Sequence, residues 1–292
     1  MSLGIIVIVS IFSSLLRSFL NIIDRYQIGI KDNSVSKVNY FNNLFTIIVT
    51  TIIVICMNKP FDVLHNVFSY QVIIYAAIVQ IVAYGYSYLF KLLKISQSII
   101  VSNTADVFIP IGMFLTTGYF SGKSYLLSIF TTLICFIVFF SEKNNLKKMI
   151  RGSLVIIPLL TIQAALSPLL LKNHISFQSL LIFTIATLYI RFIITQLDFF
   201  FRKSTSNHQI DFKLNKKELM LYSLRSFITI GTQFTFVVAT SSIYSSIAWV
   251  FLNLSSIFAV LFSGWILKEQ GTRREVIIII AITIATILRL RI

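Results

Sequence analysis

Thr184–Phe200 reads TIATLYIRFIITQLDFF. It belongs to a run that opens near Ser176 and is otherwise almost wholly apolar. Crossing a bilayer takes about 20 such residues, so the run reads as a membrane helix. Arg191 sits near its middle. A guanidinium at that depth costs about 2.5–3.5 kcal/mol on insertion scales. Something in the fold has to offset it.

The rest of the chain carries the same message. Of 292 residues, 57% are hydrophobic and 12% are charged, against about 25% charged in soluble domains. Mean hydropathy is +0.87. Ten apolar runs follow one another, at about 3–23, 38–57, 68–90, 97–119, 124–141, 153–171, 176–199, 219–240, 243–267 and 275–292. The expected fold is all-α: a polytopic membrane protein of ten transmembrane helices. The first run lacks a basic leader and exceeds the roughly 7–15 residue core of a signal peptide, so it reads as a retained helix. Between the runs the loops are short, and the longest, about 200–218, is basic.

The runs divide five and five at SEKNNLKKMIRG (141–152), giving units 1–141 and 153–292 joined by the basic loop 142–152. Runs four and nine look alike. Each begins on serines, carries a polar residue in mid-span (Asp106, Asn253), continues with a helix-disturbing or small residue (Pro110, Ser255–Ser256) and ends near glycine (Gly118, Gly264). With an odd number of spans per unit the second copy is inserted upside down. Inverted repeats of this kind mark secondary transporters, with the substrate site near the midplane between the repeats.

Three of the 25 lysines and arginines lie inside runs: Arg17, Arg191 and Arg225. Among the acids, Asp106 alone lies deep in one. Each sits on a polar stripe of helical spacing: Ser13, Arg17, Asn21 and Asp24; Ser98, Ser102 and Asp106; Thr184, Thr187, Arg191, Thr195 and Asp198; Arg225, Thr229 and Gln233. Residues three and four apart share a helix face. Gln80, Tyr84 and Tyr88 form a further stripe in run three, and Ser242, Ser246, Trp249 and Asn253 another in run nine. Runs five and ten carry none. The expectation is a watery cavity with runs five and ten outside it, in which the arginines are solvated. Arg191, Arg225 and Arg17 would bind an anionic solute, Asp106 would balance an arginine, and Asn21, Gln80, Tyr84, Gln233, Trp249 and Asn253 would shape the remainder. Taken singly these residues have ordinary readings too: an arginine paired with Asp106, Asn253 as interhelical glue, tyrosines and Trp249 as packing, and Glu269 as a loop-end charge beside Lys268.

Ser241–Leu288, SSIYSSIAWVFLNLSSIFAVLFSGWILKEQGTRREVIIIIAITIATIL, resembles the last two helices of EamA-type members of the drug/metabolite transporter superfamily, with Gly264 and Glu269 matching its Gly…Glu ending. LNIIDRY (20–26) resembles the end of helix one in some members, whereas FSGK (120–123) stands where others have Gly-Glu. The resemblance covers the chain and implies a carrier of small organic solutes; the superfamily also contains cation and multidrug exporters. A lipid-carrier flippase, or an accessory subunit of an envelope-assembly system, is the reading from another class.

Other chemistries find little support. His65, His174 and His208 all lie in loops, no metal-ligand spacing or phosphate-binding glycine loop is present, and Cys56 and Cys135 lie in apolar runs. The sequence thus calls for no cofactor, no metal and no enzyme activity. The formal charge of +15 is dispersed over short loops. That suits topology and anionic lipid heads rather than nucleic acid. A small solute, membrane lipids and a coupling proton or counter-substrate are the expected partners. Loops on one side carry 17 Lys and Arg, those on the other five. The positive-inside rule then places both termini of this cell-membrane protein on the non-cytoplasmic side. Members of the resembled family are often drawn the other way round.

Overall fold

In a computed structural model the chain is described over residues 3–118, 120, 122–141, 145–174, 176–205, 214–241, 245–269 and 273–288. Residues 142–144 of the connecting loop, His208, Ser242, Arg289 and Arg291 lie outside that set.

Among the described residues, helices occupy each apolar run. They are α1 (Leu3–Asp24), α2 (Val35–Met57), α3 (Pro60–Val67), α4 (Tyr70–Leu92), α5 (Ile95–Asn103), α6 (Ile109–Thr117), α7 (Gly122–Ser141), α8 (Leu146–Leu171), α9 (Phe177–Thr205), α10 (Lys216–Thr240), α11 (Ser245–Leu252), α12 (Ser255–Phe262) and α13 (Arg273–Leu288). Among the described residues there is no strand. Five helical segments among the described residues are long and apolar enough to cross a membrane: Gly4–Ile30, Val35–Met57, Tyr70–Leu92, Leu146–Leu171 and Phe177–Arg202. Ile95–Thr117 makes a sixth if its bent halves form one span.

Local chemistry sets the ends. Ser34 and Ser69 cap α2 and α4 by accepting bonds from Lys37 N and Val72 N, and Asn215 with Glu218 forms a capping box on α10, which satisfies amides that have no intrahelical acceptor. Asn58 and Gly118 close α2 and α6 in the left-handed conformation. Three segments expected to be loops are helical, one of them residues 146–152 of the expected connecting loop, which form the first turns of α8. Residues 60–67 form α3, with Pro60 in its first turn, where the missing N–H costs nothing. The chain after α1 winds on as a π-helix over Arg25–Ile30.

Two breaks position the site. The chain from α5 to α6 passes through a 3-10 turn, Thr104–Val107, and bends by 41°. Pro110 follows that turn and has no N–H for the carbonyl four residues back. The α11–α12 junction breaks at Asn253–Leu254, where Ser256 N and Ile257 N bond three residues back, to Asn253 O and Leu254 O. The breaks touch. Asn253 Nδ2 donates to Asp106 Oδ1 at 2.8 Å, and Ser256 Oγ donates to Asn103 Oδ1 at 3.2 Å.

At the centre α1 packs against α10, α11 and α12; α4 packs against α8 and α9; and α2 lies along α9 and α10. α7 and α13 pack on each other. Isoleucines 8, 48, 52 and 55 and Leu154 face outward from α1, α2 and α8, as an apolar solvent would allow.

Glu269 corrects the expectation of a loop-end charge. Arg25 Nη2 lies 2.8 Å from Glu269 Oε1 and Arg25 Nε donates to the same oxygen at 2.9 Å. Glu269 Oε2 accepts from Ile95 N, and Arg25 Nη1 donates to Phe90 O. This one ion pair ties the end of the first helix, the α4–α5 turn and the end of the α12 segment. Its partners are 244 residues apart, so sequence proximity favoured Lys268 and the fold selects Arg25.

Candidate functional site

Arg191 projects from the middle of α9 and is 7% exposed. Its Nε donates to Gln80 Oε1 at 3.0 Å and its Nη1 to Gln233 Oε1 at 3.3 Å. Gln80 is held in turn by α2: Asn43 Nδ2 donates to its Oε1, and its Nε2 donates to Asn39 Oδ1, both at 3.4 Å. The guanidinium is thus supported by neutral amide oxygens on α4 and α10. Among the described residues no carboxylate lies within ion-pairing distance of it. Amide dipoles solvate the charge and leave it un-neutralised.

Arg225 is different. Its Nε and Nη2 meet Asp24 Oδ1 and Oδ2 at 2.6 and 2.8 Å, the two-pronged geometry in which guanidinium and carboxylate bind best. Nη1 also donates to Thr229 Oγ1 at 3.1 Å, one turn along α10. The carboxylate that balances this arginine is therefore Asp24 at the end of α1, not Asp106. Helical spacing had put Asp24 on the same stripe as Arg17 and Asn21, but at a span end it read as a boundary charge.

Arg17 has neither an ion pair nor a hydrogen-bonded acceptor among the described residues. Its guanidinium lies 5.3 Å from the centre of the Tyr86 ring and 5.9 Å from that of Phe236. Ring faces hold a cation without neutralising it.

The three arginines line one chamber with Asn21, Asp24, Gln163 and Gln233; it encloses about 690 Å³ including its open mouth. Among the described residues that line it there are three guanidiniums and one carboxylate, a formal excess of two positive charges. A second, narrower chamber adjoins it at the helix breaks. The two share Arg17, Asn21 and Tyr86. Asp106, Trp249 and Asn253 line the second with Ser98 and Asn103. Among the described residues α7 and α13 line neither, in keeping with their lack of a polar stripe.

Nine of the ten expected residues are therefore brought together: Arg17, Asn21, Arg191, Arg225 and Gln233 at the first chamber, Arg17, Asn21, Asp106, Trp249 and Asn253 at the second, and Gln80 behind Arg191. Tyr84 is the exception. Its hydroxyl donates to Asp198 Oδ2 at 3.0 Å, beside Ser36 Oγ and Arg202 Nε on the same carboxylate. The stripe Gln80–Tyr84 faces α2 and α9. The chamber takes the adjacent line of α4: Val79, Val82, Ala83 and Tyr86. The two lines are one residue apart in sequence, a rotation that polarity alone does not resolve.

Asp24, Tyr86 and Gln163 complete the first chamber, and Asn39 and Asn43 stand behind it. A signal existed for the amides: three asparagines within residues 39–43, and Gln163 alone in an apolar helix. No family model matches this chain, and no curated protein is similar to it in sequence.

Proposed function

We propose that this chain is a secondary carrier that moves a small organic anion (an amino acid, organic acid or phosphorylated metabolite) across the membrane by alternating access. The reading rests on one observation: Arg17, Arg191 and Arg225 line one chamber with, among the described residues, a single carboxylate. A guanidinium remains charged in any protein environment and meets carboxylate or phosphate with parallel hydrogen bonds. Three of them in a chamber between apolar helices are costly unless an anion or water is held there. A carrier of cations would need the opposite balance.

The ten helical runs would form two inverted five-helix repeats, in the manner of the EamA-type carriers that the C-terminal residues resemble. The interrupted helices at 95–117 and 245–262 hold corresponding places in the two halves. Discontinuous helices that meet near the midplane are where such carriers build their sites.

The test is a ligand panel on the purified protein in detergent, read by thermal stabilisation, with carboxylates and phosphate esters set against amines of matched length. Anions should stabilise the protein and amines should not. Arg191→Gln should weaken anion binding about 10–100-fold, the worth of one or two charge-assisted hydrogen bonds. Arg191→Lys should weaken it less, keeping the charge and losing the fork. A folded Arg191→Leu variant that binds anions as the parent does would overturn the assignment, as would stabilisation by amines alone.

A further inference from the structure

The second chamber has unmet hydrogen-bonding capacity of a definite kind. Among the described residues, Trp249 Nε1, Asn103 Nδ2 and Ser98 Oγ have no hydrogen-bond partner, and these three residues are 5%, 4% and 0% exposed. All three line the chamber. An indole N–H and an amide NH₂ are donors only, and a hydroxyl both donates and accepts. A buried donor without an acceptor is expensive. The same chamber is lined by the Asp106 carboxylate and the Asn253 amide that donates to it. The wall therefore offers two donors without acceptors beside a carboxylate.

An ammonium group could approach Asp106, but it cannot accept from Trp249 or Asn103. An aliphatic group satisfies neither side. A hydroxyl does both: it accepts from the indole or amide and donates to the carboxylate. Because the chamber joins the arginine chamber along Arg17, Asn21 and Tyr86, one solute can occupy both. We infer that the second chamber is a hydroxyl-binding subsite and that the solute is a hydroxylated anion, of the class of sugar acids, sugar phosphates and hydroxy acids. The inference rests on the proposed anion site.

Phe236 links the two ends. It lies under Arg17 and meets the Trp249 ring edge-on with centroids 5.6 Å apart. Trp249 is also a usable reporter: the chain has two tryptophans, and the other, Trp265, is 79% exposed and outside both chambers.

The experiment uses the full chain carrying Trp265→Phe in lipid nanodiscs. Gluconate, hexanoate and 6-aminohexanoate are titrated by calorimetry and by Trp249 emission. They share a carboxylate and a six-carbon chain and differ in hydroxyls and in a terminal ammonium. Gluconate should bind about tenfold tighter than hexanoate, the worth of a hydrogen bond or two, and 6-aminohexanoate no tighter than hexanoate. Ser98→Ala and Trp249→Phe should each reduce the ratio of gluconate to hexanoate affinity severalfold. Ser98→Ala keeps the test decisive if the tryptophan variant fails to fold. Equal affinities for gluconate and hexanoate would overturn the subsite and leave the anion site standing. So would tightest binding of 6-aminohexanoate, which would assign an ammonium to Asp106, and so would a gluconate preference that survives both substitutions, which would leave water alone in the chamber. If none of the three binds, the anion site itself fails.

Discussion

Replacing Asp24 by asparagine keeps the side-chain volume and removes the only carboxylate that lines the arginine chamber among the described residues. Arg225 then loses two charge-assisted bonds, at 2.6 and 2.8 Å, and retains Thr229. Exposed ion pairs contribute about 0–1 kcal/mol, and removing one partner of a buried pair costs about 3–5 kcal/mol. The Arg225 and Asp24 side chains are 9% and 16% exposed and the chamber is open to water at its mouth. The expected loss therefore lies near the lower end of the buried range, at about 3 kcal/mol. Contact charges at an effective dielectric of about 20 interact by about 4 kcal/mol, which agrees. Two assays on the purified protein read the result. Denaturant unfolding in detergent should show the loss, with part of it recovered in the double variant Asp24→Asn/Arg225→Gln. Calorimetry should show tighter anion binding, because the excess charge of the chamber rises from two to three. Unchanged stability, or a double variant whose loss is the sum of the two single losses, would refute the pairing. Weaker anion binding would refute the role of Asp24 as the internal counter-charge.

Gly29→Ala should loosen the tie at the end of the first helix. A Cβ there would overlap Arg25 Nη1 and the Phe90 carbonyl oxygen, and the carbonyl belongs to a backbone that cannot swing away. The expected cost is about 1–3 kcal/mol, and combining it with Glu269→Gln should add little; full additivity would show that the two act separately. His174 should confer a pH dependence on stability. Its ring packs on Phe183 and its Nδ1 lies 2.7 Å from Ser179 Oγ, and burial holds its pKa below the ordinary imidazole value, about 6.5. The unfolded chain then binds the proton more readily, so the stabilisation is complete above about pH 6.5 and is lost as pH falls below it. Melting at pH 5.5 and 7.5 should differ less in His174→Gln than in the parent, and equal differences would exclude the residue. A C-terminal reporter active only in the cytoplasm should stay silent, given the 17 basic residues on the opposite loops, and strong activity would reverse the orientation.

The sequence alone determined that this chain is helical and apolar enough to cross a membrane, because continuous runs of about 20 apolar residues carry that information locally. It also singled out Arg17, Arg191 and Arg225, since a charge in such a run is conspicuous wherever it points. The break near Asp106 was legible for a similar reason: Pro110 acts on its own helix. What could not be read locally was which groups meet. Arg225 and Asp24 are 201 residues apart, and Arg25 and Glu269 are 244 apart; composition ranks neither pair above its competitors. Helix rotation was equally out of reach. Neighbouring faces of α4 both carry tyrosine, and only packing against α2 and α9 sends Tyr84 to Asp198 and leaves Tyr86 under Arg17. The opening arginine shows the division most clearly. Its cost followed from its place in the run. What offsets it, the amide oxygens of Gln80 and Gln233 and the open space beside them, comes from two other helices and exists only once all three have packed.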